Sequence, residues 1–488
     1  MAKELLNYKP ALNLTVVGFG QAGNRIADRF AAIKQNGKSL YNCLALNSNN
    51  GDLLELKNIP DENKLSLGLG GLGKNPEKAI NILEENPKVK EELKSFIANQ
   101  VRPSDDLVLF VAGLGGGTGT STIVKAIEEF YEYHIKPTIM TELRALLTSA
   151  PAEHRADKAQ IARYQVEAMR RAREKHAKIG IVVTLPVRSD GPDVLRQVNA
   201  FAQRIWDFSK KEKNGIAFVN FIDNQYLSDE FKALNEATKA EIGVNNARDY
   251  ANKRFVDLFH EINISPSVGG TSVILDKEDF KRVLLEHKGC LVLNKTGKPT
   301  NEVTNNKAIT DMFNESIKGS ALHQPIQLIR EENGQKIVSK VHHVGLLAIL
   351  DPNQNLGSSF IDDAKDAVVE SLPINGTVFS GYLELKNDYE SSVYTFYKTE
   401  GLPERLAKGL VEEFKEFQDK QNQLIFEESS IATIAATSES EFDIELDLDL
   451  LDGLDVDINS ENEKDKNINQ SVEDILADID LDDIKDLD

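Results

Sequence analysis

Residues 113–122 read GLGGGTGTST, three adjacent glycines followed by alternating threonine and glycine, directly after the apolar run DLVLFVA at 106–112. That order predicts a buried strand, a tight loop and then a helix whose free amide N–H groups face an anion. The loop has no lysine where the G-x-x-x-x-G-K-[ST] pattern needs one, which excludes the P-loop class. Gly115, Gly116, Gly117 and Gly119, with the Thr118 hydroxyl and Thr120, can instead wrap phosphates with backbone amides and leave charge neutralisation to a metal.

Two more glycine clusters lie upstream. VVGFGQAGNRIADRF (16–30) sets Gly18, Gly20 and Gly23 in G-x-G-x-x-G spacing between a strand and a helix. A Rossmann NAD site would also need an acid at the end of the second strand to hold the ribose. That strand, CLALN (43–47), runs into Asn47, Ser48, Asn49 and Asn50, so the acid is missing. The third cluster is SLGLGGLGKNPEKA (66–79), with Gly68, Gly70, Gly71 and Gly73. Read singly, this third cluster is a flexible loop. Three at the ends of successive strands of one sheet converge on a single crevice.

From residue 12 to about 262, short apolar runs alternate with amphipathic stretches long enough for crossover helices, the pattern of a mostly parallel sheet with helices on both faces. LNLTVVGF, CLALN, DLVLFVAGL, KIGIVVTLP and GIAFVNFID are the strand candidates. ARDYANKRFVDLFHEI puts Ala251, Phe255, Leu258 and Ile262 on one face and reads as a core helix. Residues 295 to 400 have a different rhythm, with helices near 305–319 and 359–372 and strands HHVGLLAIL, TVFSGYLEL and SSVYTFYK, an α+β unit with a mixed or antiparallel sheet. LPERLAKGLVEEFKEFQDKQNQLIF then reads as a long helix with Leu406, Leu410, Phe414 and Phe417 along one stripe.

The 488 residues are 41% hydrophobic and 28% charged, ordinary for a soluble chain of several domains. Cys43 and Cys290 alone build no disulfide framework, and both read as small buried apolar residues of a protein in a reducing compartment. MAKELLNYKP has no leader-like apolar core and no run is long enough for a membrane span, so a cytoplasmic protein without membrane contact is expected. The net charge of −21 is uneven. Residues 427–488 hold 22 of the 78 acids but three of the 57 basic residues, which leaves the rest of the chain close to neutral. This tail alternates acid with aliphatic residues and is expected to stay disordered alone. In QSVEDILADIDL, Val472, Ile475, Leu476 and Ile479 fall at helical spacing, so an unstructured tail stands against a short helix that docks on a partner.

GGGTGT at 115–120 resembles the signature of the tubulin and FtsZ superfamily, and GQAGN at 20–24 the first nucleotide loop of tubulins. The resemblance implies a Rossmann-like, parallel-sheet α/β domain that binds GTP with Mg²⁺ over residues 1–262, core helix included. It also implies a catalytic loop and second α+β domain over 263–400, a C-terminal helix over 401–426, the acidic tail beyond, and self-assembly into filaments. It carries GTP contacts onto Gly20, Gln21, Ala22, Gly23 and Asn24, onto Asn47 and Asn49 of LNSNN, and onto Gly70 and Gly71. Asp190 of TLPVRSDGP stands at the ribose-side loop, and Asn224 and Asn252 at the base. ILDKEDFKRVLLEHKGC (274–290) resembles the catalytic loop, with Asp276 and Asp279 as the acids that reach the GTP of the next subunit. The competing reading of LDKED is an acidic helix start favoured by the dipole.

Two departures qualify the resemblance. About 64 residues separate the glycine loop from TLPVRSDGP, so an insertion lies between, much of it the basic segment PAEHRADKAQIARYQVEAMRRAREKHAK. It reads as a solvated helical face or, alternatively, as a lateral filament contact or a seat for the acidic tail; direct DNA binding is disfavoured because the tail competes for the same cations. The tail lacks the apolar-basic ending of cell-division FtsZ. VVTLPVRSDGPDVLRQVNAFAQRIWDF looks more like the TubZ branch, which segregates plasmid and phage DNA through a DNA-bound adaptor. The expectation is therefore a polymerising GTPase whose tail engages such an adaptor, with FtsZ-like division or a nonhydrolysing GTP-binding scaffold as alternatives.

Overall fold

A computed structural model describes residues 8–70, 76–102, 104–211, 215–354, 356–386, 390–423, 472 and 476. Ten strands form one sheet: β1 Leu14–Phe19, β2 Asn42–Asn47, β3 Lys64–Ser66, β4 Leu107–Gly113, β5 Lys178–Leu185, β6 Ile216–Asp223, β7 Cys290–Pro299, β8 Val341–Leu350, β9 Val378–Glu384 and β10 Glu390–Thr399. Their spatial order is β9-β8-β10-β7-β6-β5-β4-β1-β2-β3. The strands from β3 to β6 pair in parallel, as crossover helices require. β1 and β6 are buried at every residue, which explains why they read as continuous apolar runs. In the second half β10 runs antiparallel to both β7 and β8, and β8 runs parallel to β9. The two halves join through one register pair, Val219 with Cys290.

The helices that matter for the site are α1 Gly20–Ala31, α2 Gly117–Phe130, α3 Lys158–Arg173, α4 Pro192–Lys210, α5 Asn224–Ala233, α6 Ala247–Ile264, α7 Lys277–Lys281, α8 Asn306–Lys318, α9 Phe360–Ser371 and α10 Leu410–Asn422. α6 is the expected core helix, with Ala251, Phe255, Leu258 and Ile262 all buried. Strand β7 is absent from the sequence expectation, because its second half, Lys295–Pro299, is polar and interrupts the apolar run. α3, from the basic insertion, buries only Ala168 and Ala172, and Glu167 takes hydrogen bonds from Arg170 and Arg171. It is a helix that neutralises part of its own charge.

α10 departs from the expected apolar stripe. A π-helical turn, Arg405–Gly409, precedes it, and the buried face runs through Arg405, Leu410 and Glu413, while Leu406, Phe414 and Phe417 are half-buried. Most of the tail lies outside the described residues, but Val472 and Leu476 pack against the apolar cluster that fills one side of the sheet. Both cysteines are buried and unpaired. Among the described residues no helix is long and apolar enough to cross a membrane.

A buried polar knot ties α6 to the second half. Glu261, 3% exposed, accepts hydrogen bonds from the Tyr394 hydroxyl at 2.9 Å and from Lys295 Nζ at 3.3 Å. Burial pushes its carboxyl up, but the Lys295 charge and the Tyr394 bond outweigh it and hold the group below the usual range. The unfolded chain thus takes up this proton first, so the stabilisation is complete above an unfolded pKa of about 4.3. It is lost as pH falls through the lower folded value. Glu261→Gln is expected to cost about 3 kcal/mol at pH 7. In denaturant titrations repeated at falling pH, its deficit against the wild type should shrink below about pH 4.3.

Candidate functional site

The carboxyl ends of five parallel strands open onto one cavity of about 340 Å³, lined by Phe19, Asn47, Gly113, Leu185 and, just past β6, Asn224. This is where an open α/β sheet places a ligand crevice. α1 and α2 start at its floor. Neither has a side-chain cap or an acid in its first turn, so their first N–H groups face the cavity without an internal partner.

The glycines divide by what a side chain would meet. A Cβ on Gly23 would stand 2.0 Å from the Val111 carbonyl oxygen, and one on Gly119 2.9 Å from that of Phe19. These two let α1 and α2 lie directly on the strands. Gly116 is different: its φ of −112° suits any residue, and an added Cβ would meet nothing within 4 Å. The space beside it is open to a ligand.

Of the residues expected from sequence, Gly20, Gln21, Ala22, Asn47, Asn49, Gly115, Gly116, Gly117, Thr118, Gly119, Asp190, Asn224 and Asn252 line the cavity. Gly23, Asn24 and Thr120 do not, and each has a structural task. The Asn24 carboxamide exchanges two hydrogen bonds with the backbone of Leu46, at 3.1 and 3.2 Å, locking α1 to β2. Thr120 Oγ1 donates to the carbonyls of Leu114 and Gly116 at 2.9 and 2.7 Å and so shapes the loop from behind. Gly70 is exposed away from the lining, and Gly71 lies outside the described residues.

Across the cavity, the Thr118 hydroxyl donates to Ser48 Oγ at 2.9 Å. Asp190 accepts from the Val187 N–H and lies 3.6 Å from an Arg248 nitrogen. Asn252 is 7% exposed, and among the described residues neither its carboxamide nor that of Asn224 has a hydrogen-bond partner. Two unspent carboxamides facing a cavity suit the donor and acceptor edge of a base. Arg25, Ser48, Asp52, Thr184 and Arg248 also line the site and were missed. Arg248 had a signal, because it precedes Asn252 by four residues on the core helix and shares its face.

Asp276 and Asp279 are not in this cavity. α7 lies beside the amino ends of the strands: Lys281 pairs with Asp106, directly before β4, at 2.8 Å. An eight-residue strand such as β5 spans roughly 26 Å, which separates these acids from the glycine loops within one chain. Asp276 caps α7, its carboxylate accepting from the Asp279 N–H at 2.8 Å. Asp279 is half-buried, and burial, followed by the nearby Asp276 charge, pushes its pKa up.

A larger cleft of about 1040 Å³ opens at that amino end, lined by Lys178, Arg282, Glu286 and His287 among others. Much of its charge is spent internally, as in Arg282 with Glu286 at 2.9 Å. Glu286, His287 and His343 converge there with metal-like spacing. However, His343 Nδ1 accepts from the Thr377 N–H at 2.9 Å, which leaves the proton on Nε2, 3.0 Å from Glu286. That ring is committed to hydrogen bonds at both nitrogens, so the cluster is a polar seam.

Residues 13–157 match the Tubulin/FtsZ family GTPase-domain model. Over this stretch the chain is similar to the tubulin/FtsZ GTPase domain. It is 33% identical over 131 residues to the tubulin-like protein CetZ1 of Haloferax volcanii, covering 25% of this chain and 32% of that protein. It is 28% identical over 286 residues to the tubulin-like protein TubZ of Bacillus thuringiensis subsp. israelensis, covering 55% of this chain and 51% of that one. The matches thus span between a third and a half of these relatives' own lengths. The tubulin/FtsZ fold extends further. A GTPγS-form protofilament of the B. thuringiensis TubZ superposes with a TM-score of 0.62 at 18% identity, over 86% of this chain and 94% of that one. CetZ1 as a GDP-bound monomer gives 0.51 at 18% identity, over 84% and 100%.

Proposed function

We propose that this protein is a GTPase that assembles head to tail and completes its active site only at the junction between subunits. The observation that carries this reading is the separation of its two halves: the anion-suited glycine cavity at the carboxyl ends of the strands, and Asp279 at the amino ends. A second copy stacked end to end, with its strands pointing the same way, brings α7 of one subunit over the cavity of the other. In this reading the amides of Gly115–Gly119 and the Thr118 hydroxyl grip the phosphates, Asp190 holds the ribose, and Asn224 and Asn252 hold guanine. Gly20, Gln21, Ala22, Asn47 and Asn49 complete the phosphate side. Asp279, its basicity raised by burial, accepts the proton of the attacking water, while Asp276 fixes the start of α7.

The oxygen donors Ser48, Asn49, Asp52 and Thr118 fit a hard cation alongside phosphate oxygens. Mg²⁺ would supply charge neutralisation on the leaving phosphates, which this lysine-free lining otherwise leaves to Arg25 and Arg248. The cellular task we infer is movement of plasmid or phage DNA through a DNA-bound adaptor engaged by the acidic tail. Its support is the likeness to TubZ, one of whose structures is described as type III plasmid segregation TubZ.

Shared-site hydrolysis has a plain kinetic signature. GTP turnover per subunit should be near zero when dilute and rise steeply past a threshold concentration, in step with sedimentable polymer. Turnover strictly proportional to protein at every dilution would sink the proposal.

A further inference from the structure

The C-terminal helix is seated by charge, on the back of two loops that line the cavity. Arg405, with its side chain 7% exposed, donates Nη1 to the Pro186 carbonyl at 2.7 Å and to Asp223 Oδ1 at 2.6 Å. Its other two nitrogens form a fork with Glu413 on α10, each bond 3.0 Å. Asp223 and Glu413 are 2% and 6% exposed. Pro186 lies in the cavity wall, and Asp223 directly precedes the cavity-lining Asn224. Asp223 also caps α5, accepting from the Gln225 and Tyr226 N–H groups.

Two further bonds close the frame. The Arg188 N–H donates to Gln225 Oε1 at 2.9 Å, joining the two loops, and Arg188 Nε lies 3.3 Å from Glu413. A guanidinium can serve two carboxylates and a carbonyl at fixed angles, which an ammonium cannot reproduce. Removing it leaves the buried Asp223 carboxylate without a cation and Glu413 with Arg188 alone, and both carboxylates belong to groups that hold the loops or the helix.

We propose that Arg405 is a positioning residue for the nucleotide site, linking retention of guanine nucleotide to docking of the C-terminal helix. The inference rests on the guanine-nucleotide reading above. It gives that site a control input, since α10 is the last helix before the acidic tail. A partner that pulls α10 away loosens the loops of residues 186–190 and 223–225 and speeds nucleotide release. By reciprocity, bound nucleotide holds α10 down.

The test uses the full-length protein below its assembly threshold, loaded with a fluorescent GDP analogue and chased with unlabelled GDP. Arg405→Met is expected to release the analogue about 10-fold faster than wild type, with Arg405→Lys and Glu413→Gln in between. Hydrogen exchange gives the second readout: saturating GDP should slow exchange of the 410–422 amides in wild type, and the effect should fade in Glu413→Gln. A folded Arg405→Met with wild-type release, or wild-type α10 amides indifferent to GDP, overturns the proposal. If Arg405→Met does not fold, the exchange comparison decides. A wild-type protein that fails to bind the analogue overturns the guanine-nucleotide reading itself, and this inference with it.

Discussion

Asp279→Ala is expected to bind nucleotide and assemble like the wild type, yet to lower GTP turnover in the polymer by roughly 100-fold or more, the usual contribution of a general base. Polymer should form and then persist, which sedimentation with parallel phosphate release would show. The adjacent acid separates the two readings of this helix start. Asp276 caps α7, a task that asparagine performs as well as aspartate, so Asp276→Asn should keep most activity while Asp276→Ala loses the cap. Equal losses in Asp276→Asn and Asp279→Ala would mean that both carboxylates serve the chemistry. Unchanged turnover in Asp279→Ala would place the base elsewhere. Mixing supplies the positional test: on the proposed shared-site reading, an assembly-competent cavity mutant and Asp279→Ala should partly restore each other's turnover in a mixed polymer.

The second large effect distinguishes two glycines of similar appearance. At Gly23 an alanine methyl would press on the Val111 carbonyl, backbone against backbone, with no side chain able to rotate away. Gly23→Ala should cost about 3 kcal/mol or more, by prising α1 off β4. Gly116→Ala should leave unfolding within about 0.5 kcal/mol of wild type, since its methyl enters open space. That space is where a phosphate would lie, so its GDP affinity should fall about 100-fold, or ~2.7 kcal/mol. Chemical unfolding with and without GDP, beside a direct titration, reads both quantities. Wild-type affinity in Gly116→Ala would move the phosphates off this loop.

The apolar strands, the core helix and the meeting of the first two glycine clusters, GFGQAG and GLGGGTG, were legible from short windows of sequence, whereas no described residue of the third cluster lines the cavity. Apolar runs such as LTVVGF and IAFVNFID are buried along their whole length, so their hydrophobicity carries little positional ambiguity. β7 was missed because only its first four residues are apolar, which is too short a signal beside a catalytic-loop motif. Within the site, spacing could not tell a glycine that faces ligand from one that faces a strand. Gly20 and Gly23 belong to one motif, yet the first lines the cavity and the second lies against β4. Asn24 fell the same way, since the motif fixes its place on α1 but not the Leu46 backbone that occupies its carboxamide.

The seating of α10 shows the other limit. Its sequence offers Leu406, Leu410, Phe414 and Phe417 as a stripe, and helical periodicity assigns that stripe to the core. In the fold, Arg405 and Glu413 take the buried face, because Asp223, 182 residues away, supplies the charge that makes burying a guanidinium tolerable. Local composition by itself determined a parallel-sheet domain with an anion-suited crevice and a charged tail, since glycine spacing and apolar period act within a few residues. Only the tertiary structure decided that the crevice and Asp279 stand at opposite ends of the strands, and that α10 is pinned behind the crevice. Both depend on strand direction and on partners far apart in the chain, which no window of sequence contains.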